Sequence, residues 1–200
     1  MSEYQRSESA IFRATKERWG SLSNMAAGYP ISVNQHLFLT TEALYQSMRF
    51  SHDDARCVQV QQEIMEQKSP MAAKMVSKKH VGLTREDWDQ VRVPIMDWCL
   101  RIKLNLHWDR FSAVLSETGD LAIVEESHKD RFWGAVPLRG NSEILEGENM
   151  LGKLLMRLRE NVMNGKRPNL MNLPVEKLLL LGNAPTTFTP GSTPHTLWNE

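Results

Sequence analysis

The sequence predicts a mostly helical fold with a few short strands. Three observations carry that expectation. Apolar residues recur at helical spacing, most clearly at Val91, Ile95, Trp98, Cys99 and Ile102. Short apolar runs such as Ile31-Ser32-Val33 and Leu121-Ala122-Ile123-Val124 are bounded by polar turns and read as strands. Helix starts are punctuated by Thr40 or Thr41, by Ser69-Pro70 and by Thr84.

Residues 1–10 are polar and read as frayed, and Ala10-Ile11-Phe12 as a short strand. The loop from Lys16 to Met25 holds Trp19, Gly20, Ser21, Ser23 and Asn24, residue types that line ligand walls and equally make a capped turn. Ile31–Asn34 and His36–Leu39 form two strands across a turn at Asn34-Gln35. A helix then runs from Glu42 to about Ser51, with Leu44, Met48 and Tyr45 toward the core. Glu42, Gln46 and Arg49 share its other face, and by spacing alone that face reads as solvated.

His52-Asp53-Asp54 opens a further helix with Val58, Val60, Ile64 and Met65 as its apolar members. Pro70 suits a first helical position. Lys78-Lys79-His80 reads as a solvated basic cluster, and Thr84 as the cap of a helix that Pro94 interrupts. Trp88 precedes the core stripe and is free to stack on a ligand, whereas Trp98 belongs to the core. Another helix spans about Trp108 to Glu117.

Thr118-Gly119-Asp120 then turns the chain into a stretch where chemistry concentrates. A buried strand at Leu121–Val124 is followed by the polar turn Glu125–Arg131 and by Phe132-Trp133-Gly134. Gly147-Glu148-Asn149 then opens an amphipathic helix with Leu151, Leu154, Leu155 and Leu158 on one face. Past Asn164 prolines punctuate the chain; Val175–Leu181 reads as a short helix, and the last residues as a tail ordered if Phe188 and Trp198 dock. The expected organisation is one domain over residues 1–164 and a partly irregular extension over 165–200.

The 24 acidic and 24 basic residues cancel, so bulk charge does not grip nucleic acid and a local patch would be needed. Cys57 and Cys99 lack redox or metal spacing and read as reduced thiols. The N-terminus carries no apolar signal run, and no segment nears the roughly 20 apolar residues of a membrane span. A cytoplasmic protein without membrane contact is expected.

No P-loop, Gly-x-Gly-x-x-Gly, Gly-x-Ser-x-Gly or His-x-x-x-His occurs, which disfavours nucleoside kinases, common dehydrogenases and serine hydrolases. Neither a metal nor a cofactor is expected. What remains is carboxylates near indoles: Glu42, Glu125 and Asp130 with Trp88 and Trp133. That combination suits cleavage of a glycosidic bond. A carboxylate stabilises a positively charged sugar carbon, another activates water, and an indole stacks on the departing base. The helix start at Asn149 offers N–H groups to a phosphate.

The order Ser23-Asn24, Thr40-Thr41-Glu42, Tyr45-Gln46, Arg49-Phe50, Ser69-Pro70, Ala73, Trp88, Met96, Lys103 is distinctive. It continues through Thr118-Gly119, Val124-Glu125, Asp130, Trp133-Gly134, Asn149–Gly152, Leu154–Met156 and Arg159. Over residues 11–162 this resembles the YbiA-like or NADAR family. The resemblance implies a compact, single-domain, mostly helical α+β fold and an N-glycosidase that uses no cofactor. Family members release ribose 5-phosphate from riboflavin-pathway intermediates or remove ADP-ribose from guanine in nucleic acid. A small phosphorylated ribosyl substrate or ADP-ribosylated nucleic acid is therefore the implied partner.

Carried over by position, the resemblance implies Glu42 and Asp130 as catalytic carboxylates and Trp88 and Trp133 as pocket walls. Asn24 and Gln46 would bond ribose or base. Arg49, Gly134 and Asn149 complete the implied binding set, with Asn149 near phosphate. Three departures stand out: Arg49 where a lysine is usual, Val76-Ser77 for Gly-Arg, and Ala135–Arg139 for a glycine-rich run. Arginine clamps phosphate but forms no imine, so a covalent lysine route through position 49 is disfavoured. The rival readings are a module that binds ADP-ribose or NAD without cleaving it, and an interaction protein acting through its tail.

Overall fold

A computed structural model describes residues 1–171, 173 and 175–191; Trp198 and the rest of the last residues lie outside that set. The chain order is β1 (Ser2–Gln5), β2 (Ser9–Phe12), β3 (Ile31–Val33), β4 (His36–Phe38), α1 (Thr41–Met48), α2 (Ala55–Met65) and α3 (Pro70–Lys79). It continues with α4 (Trp88–Leu106), α5 (Trp108–Glu117), β5 (Ala122–Glu125), β6 (Val136–Leu138), β7 (Asn141–Gly147), α6 (Met150–Met163) and β8 (Phe188–Pro190). This is the expected α+β class, mostly helical with short strands. By internal contacts the chain gathers into two compact units: Met1–Ala26 with Trp108–Pro168, and Ala27–His107 with Asn169–Glu200.

In the first unit β2 runs parallel to β5, while β1 and β6 flank β7 antiparallel. The N-terminus is thus a strand and not frayed. Its polar residues carry no apolar signature because β1 is a sheet edge whose faces stay largely exposed. Helix α6 packs on β5 and α5 through Leu151, Leu154, Leu155 and Leu158. Two glycines permit that approach. A Cβ at Gly152 would lie 2.0 Å from the Ile123 carbonyl oxygen, and one at Gly134 would lie 2.4 Å from that of Glu125.

In the second unit α1 packs against α2, α3 and α4, and β3 sits between β4 and β8. The β3–β4 turn has positive φ at both Asn34 and Gln35, the hairpin geometry that asparagine tolerates. The Asn34 side chain also accepts from the backbone of Thr186 (2.9 Å) and Thr187 (3.1 Å) and donates to the Ala184 carbonyl (2.8 Å). Those bonds bring β8 alongside β3, and Phe188 meets Trp98 edge-on at 5.9 Å. Val175–Leu181 forms no helix: Lys177 and Leu181 both have positive φ.

Pro94 does not interrupt α4, which continues through it. The start of α4 falls at Trp88 and not near Thr84, because Thr84 ends a short turn and its hydroxyl accepts from Arg49 Nε at 2.8 Å. Of the core stripe, Ile95, Trp98, Cys99 and Ile102 are fully buried. Among the described residues no helix is long and apolar enough to cross a membrane.

Candidate active site

The nine implied residues fall into two groups, four in the second unit and five in the first, and Lys103 joins the second unit. The second unit holds Glu42, Gln46, Arg49 and Trp88. Thr40 caps α1 by accepting from Ala43 N at 3.2 Å, and within the helix Glu42 lies one turn before Gln46. Glu42 Oε1 accepts from Gln46 Nε2 at 2.8 Å. The solvated-face expectation fails here. Glu42 is 6% exposed and Gln46 7%, since α1 has neighbours on every side. Burying a carboxylate costs hydration, which makes Glu42 a candidate for a functional role.

Its surroundings respond to it. Burial, and after it the Glu42 charge, pushes the Tyr45 phenol up from its ordinary value. The same two causes raise the Cys99 thiol on α4, so Cys99 is an inert core thiol. Trp88 is half-buried and leans on Tyr45, with ring centroids 5.2 Å apart at 42°. The Arg49 guanidinium lies 5.7 Å from the Trp88 centroid. Burial lowers its pKa from the ordinary value, yet arginine stays charged. An acid, an amide, a ring and a fixed cation are thus gathered around one helix.

Lys103 is the residue that sequence reasoning used only as a family marker. It is fully buried on α4, one turn beyond Cys99, with Nζ 4.6 Å from the Tyr29 ring centroid. Burial brings its pKa down to about 7. A buried amine that titrates near neutrality is suited to proton transfer or nucleophilic attack, which an ordinary lysine is not. The signal was available: position 103 follows Cys99 by four, so it continues the core stripe and should have been apolar.

The first unit holds Asn24, Asp130, Trp133, Gly134 and Asn149. Asp130 Oδ1 accepts from both Phe132 N and Trp133 N at 2.9 Å, and its own N–H donates to Ser127 Oγ at 3.0 Å. The carboxylate therefore shapes the turn that presents Trp133, whose ring meets Phe132 edge-on at 5.1 Å. Asn24 is buried at 4% exposure in the Trp19 loop, and Trp19 itself is buried under the Arg18 guanidinium.

Asn149 has a different job from the one its helix-start position suggested. It is wholly buried in the left-handed conformation, accepts from Glu125 N (3.2 Å) and donates to the Ile123 carbonyl (2.8 Å). The backbone N–H groups of Asn149, Met150 and Leu151 donate to the carbonyls of Gly134, Phe132 and Trp133 at 3.0–3.1 Å. The donors offered to a phosphate are engaged, so this helix start ties β5, the Trp133 turn and α6 together. Gly134 serves the same junction through its carbonyl and its missing Cβ.

A family model described as the NADAR domain matches residues 11–163. The chain belongs to the NADAR domain family. Within it, this NADAR chain is 32% identical over 151 residues to N-glycosidase YbiA of Escherichia coli (strain K12), covering 76% of this chain and 86% of that one. It is also 32% identical to a riboflavin biosynthesis protein of Vibrio vulnificus (strain YJ016), over 80% of this chain and 40% of that longer one. The NMR structure of Escherichia coli YbiA superimposes with a TM-score of 0.63 at 29% identity, covering 79% of this chain and 87% of that one. The matched segment includes every implied site residue, from Asn24 to Asn149.

Proposed function

We propose that this NADAR chain hydrolyses the bond between ribose C1 and a base nitrogen in phosphoribosyl-amine intermediates of the riboflavin-pathway type. The activity class follows from family membership: the chain is an N-glycosidase, a hydrolase of N-glycosyl bonds. The substrate is our reading, and one observation carries it. The buried Glu42 carboxylate, held by Gln46, shares α1 with Arg49 and is flanked by Tyr45 and Trp88.

In that reading the C1–N bond breaks and positive charge develops on C1, where the Glu42 carboxylate stabilises it. Water adds to C1, and its proton leaves with the departing base nitrogen. Trp88 stacks on the ring, Gln46 fixes Glu42, and Arg49 takes the phosphate. Asp130 is the second carboxylate on the resemblance alone. The two buried free thiols suit a reducing compartment such as the cytoplasm.

A second reading, removal of ADP-ribose from guanine in nucleic acid, is favoured by Arg49 itself, since a forked cation suits a diphosphate. The test incubates the protein with the phosphorylated ribosyl-aminopyrimidine and, separately, with ADP-ribosylated DNA, and follows the released sugar by mass spectrometry. Ribose 5-phosphate from the first supports the reading; ADP-ribose from the second replaces it. Release from neither, with tight ADP-ribose binding, overturns hydrolysis in favour of a reader.

A further inference from the structure

We propose that His52, Asp54 and Cys57 form a transition-metal site of the Zn²⁺ class at the start of α2. The three side chains offer an imidazole nitrogen, a carboxylate oxygen and a sulfur, all within 4.8 Å of one another. Cys57 Sγ lies 3.3 Å from His52 Nε2. Metal–sulfur and metal–nitrogen bonds of about 2.3 and 2.0 Å at a tetrahedral angle put such atoms roughly 3.5 Å apart, so the pair already stands at ligand spacing. A borderline-soft dication suits this mixture of thiolate, imidazole and carboxylate better than Mg²⁺ or Ca²⁺.

The site also has room and access. His52 and Asp54 line a cavity of about 500 Å³ together with Arg56, Thr84, Arg85 and Asp87. Cys57 is fully buried, and its thiol donates to the carbonyl of Leu83, itself a lining residue, at 3.7 Å. Three protein ligands leave a fourth position for water or a small ligand. Asp54 already has an exposed partner, Arg56, at 2.6 Å. A solvent-exposed pair of this kind holds its partners weakly, so it does not block a metal. Binding converts the Cys57 thiol to thiolate and releases its proton to solvent.

The residues escape motif searches because His-x-Asp-x-x-Cys straddles a helix cap. Asp54 is the N-cap, Cys57 follows three residues later, and His52 precedes the helix and folds back over its first turn. None of the three has a part in the proposed hydrolysis, so this inference stands apart from that reading. Metal here would pin the segment between α1 and α2, whose neighbour Arg85 bonds the Arg49 carbonyl at 3.1 Å and Ser51 Oγ at 2.8 Å.

The experiment titrates the full chain with Co²⁺ as a spectroscopic stand-in for Zn²⁺. A near-ultraviolet thiolate-to-metal charge-transfer band at one equivalent, displaced by Zn²⁺, is the expected result. Cys57→Ser should abolish the band, and His52→Gln should weaken Co²⁺ binding at least about tenfold. Asp54→Asn keeps the α2 cap, because asparagine caps as well as aspartate, and should also weaken binding about tenfold. Should Cys57→Ser fail to fold, the other two variants decide. No band at millimolar Co²⁺, or a band that His52→Gln and Asp54→Asn leave unchanged, overturns the site.

Discussion

The α1 group and the Asn149 junction use similar residue types for opposite ends. Around α1, polar side chains meet one another: Glu42 bonds Gln46, Arg49 bonds Thr84, and Lys103 sits over the Tyr29 ring. At the junction, the Asn149 side chain and the N–H groups of residues 149–151 all serve other backbone groups. Both regions carry the family's motif residues. Under the proposed function the motif residues serve chemistry in one place and architecture in the other, and substitutions separate the two.

The sharpest way to break that comparison is to change charge while keeping shape. Glu42→Gln is expected to lower kcat by at least about a thousandfold, near 4 kcal/mol of barrier, with little change in Tm. Asp130→Asn retains an acceptor oxygen for Phe132 N and Trp133 N, so its turn survives. A loss of orders of magnitude in turnover would keep Asp130 among the catalytic acids. Full activity in Asp130→Asn, together with a lower Tm in Asp130→Ala, would move it to the architectural class.

Asn149→Ala probes the other side. It strands Glu125 N and the Ile123 carbonyl and places alanine at φ 48°, so about 3–5 kcal/mol of stability should go. Urea unfolding measures this. Asn149→Gly relieves only the backbone part and should recover about 1 kcal/mol. The surviving folded fraction of either should turn over at the wild-type rate; a specific loss of kcat would return Asn149 to the site.

What was legible in the sequence follows the same division. Helix α5, the Ser69-Pro70 start and the β3–β4 hairpin rest on local periodicity and turn chemistry, and all formed as expected. Strands β1 and β8 did not announce themselves. Each is short and largely exposed, and each is held by partners far away in the chain, Leu145 for Tyr4 and Val33 for Phe188. The burial of Glu42 and Gln46 was invisible because periodicity reports which face is apolar, not whether other helices cover the polar face. The engagement of the α6 start was hidden too, since carbonyls of residues 132–134 reach it only through the Asp130 turn.

Lys103→Met sharpens the α1 side. The lysine titrates at about 7 when folded against an ordinary value of 10.5. Between those values the unfolded chain holds a proton that the folded chain has shed. Wild-type stability should therefore rise with pH from about 7 to about 10.5, by at most roughly 1.4 kcal/mol per pH unit, and be flat below 7. Lys103→Met should remove that slope and match or exceed wild-type stability at pH 7. A stable variant with turnover reduced about a hundredfold would mark the amine as retained for chemistry. A variant that unfolds more easily at every pH would mark it as structural.

Arg49→Lys gives the smallest expected effect and the finest distinction. Arg49 Nε bonds Thr84 Oγ1 while its guanidinium faces Trp88, a posture that a point charge on a flexible stem cannot copy. Losing one arm of a bidentate phosphate contact should raise KM about tenfold, near 1.4 kcal/mol, and leave kcat unchanged. Equal falls in kcat and kcat/KM would instead place Arg49 at the transition state. A lysine that raised kcat would be more informative still: an amine at position 49 would then do work that arginine cannot, and Arg49 would be the substitution that moved this chain away from a covalent route.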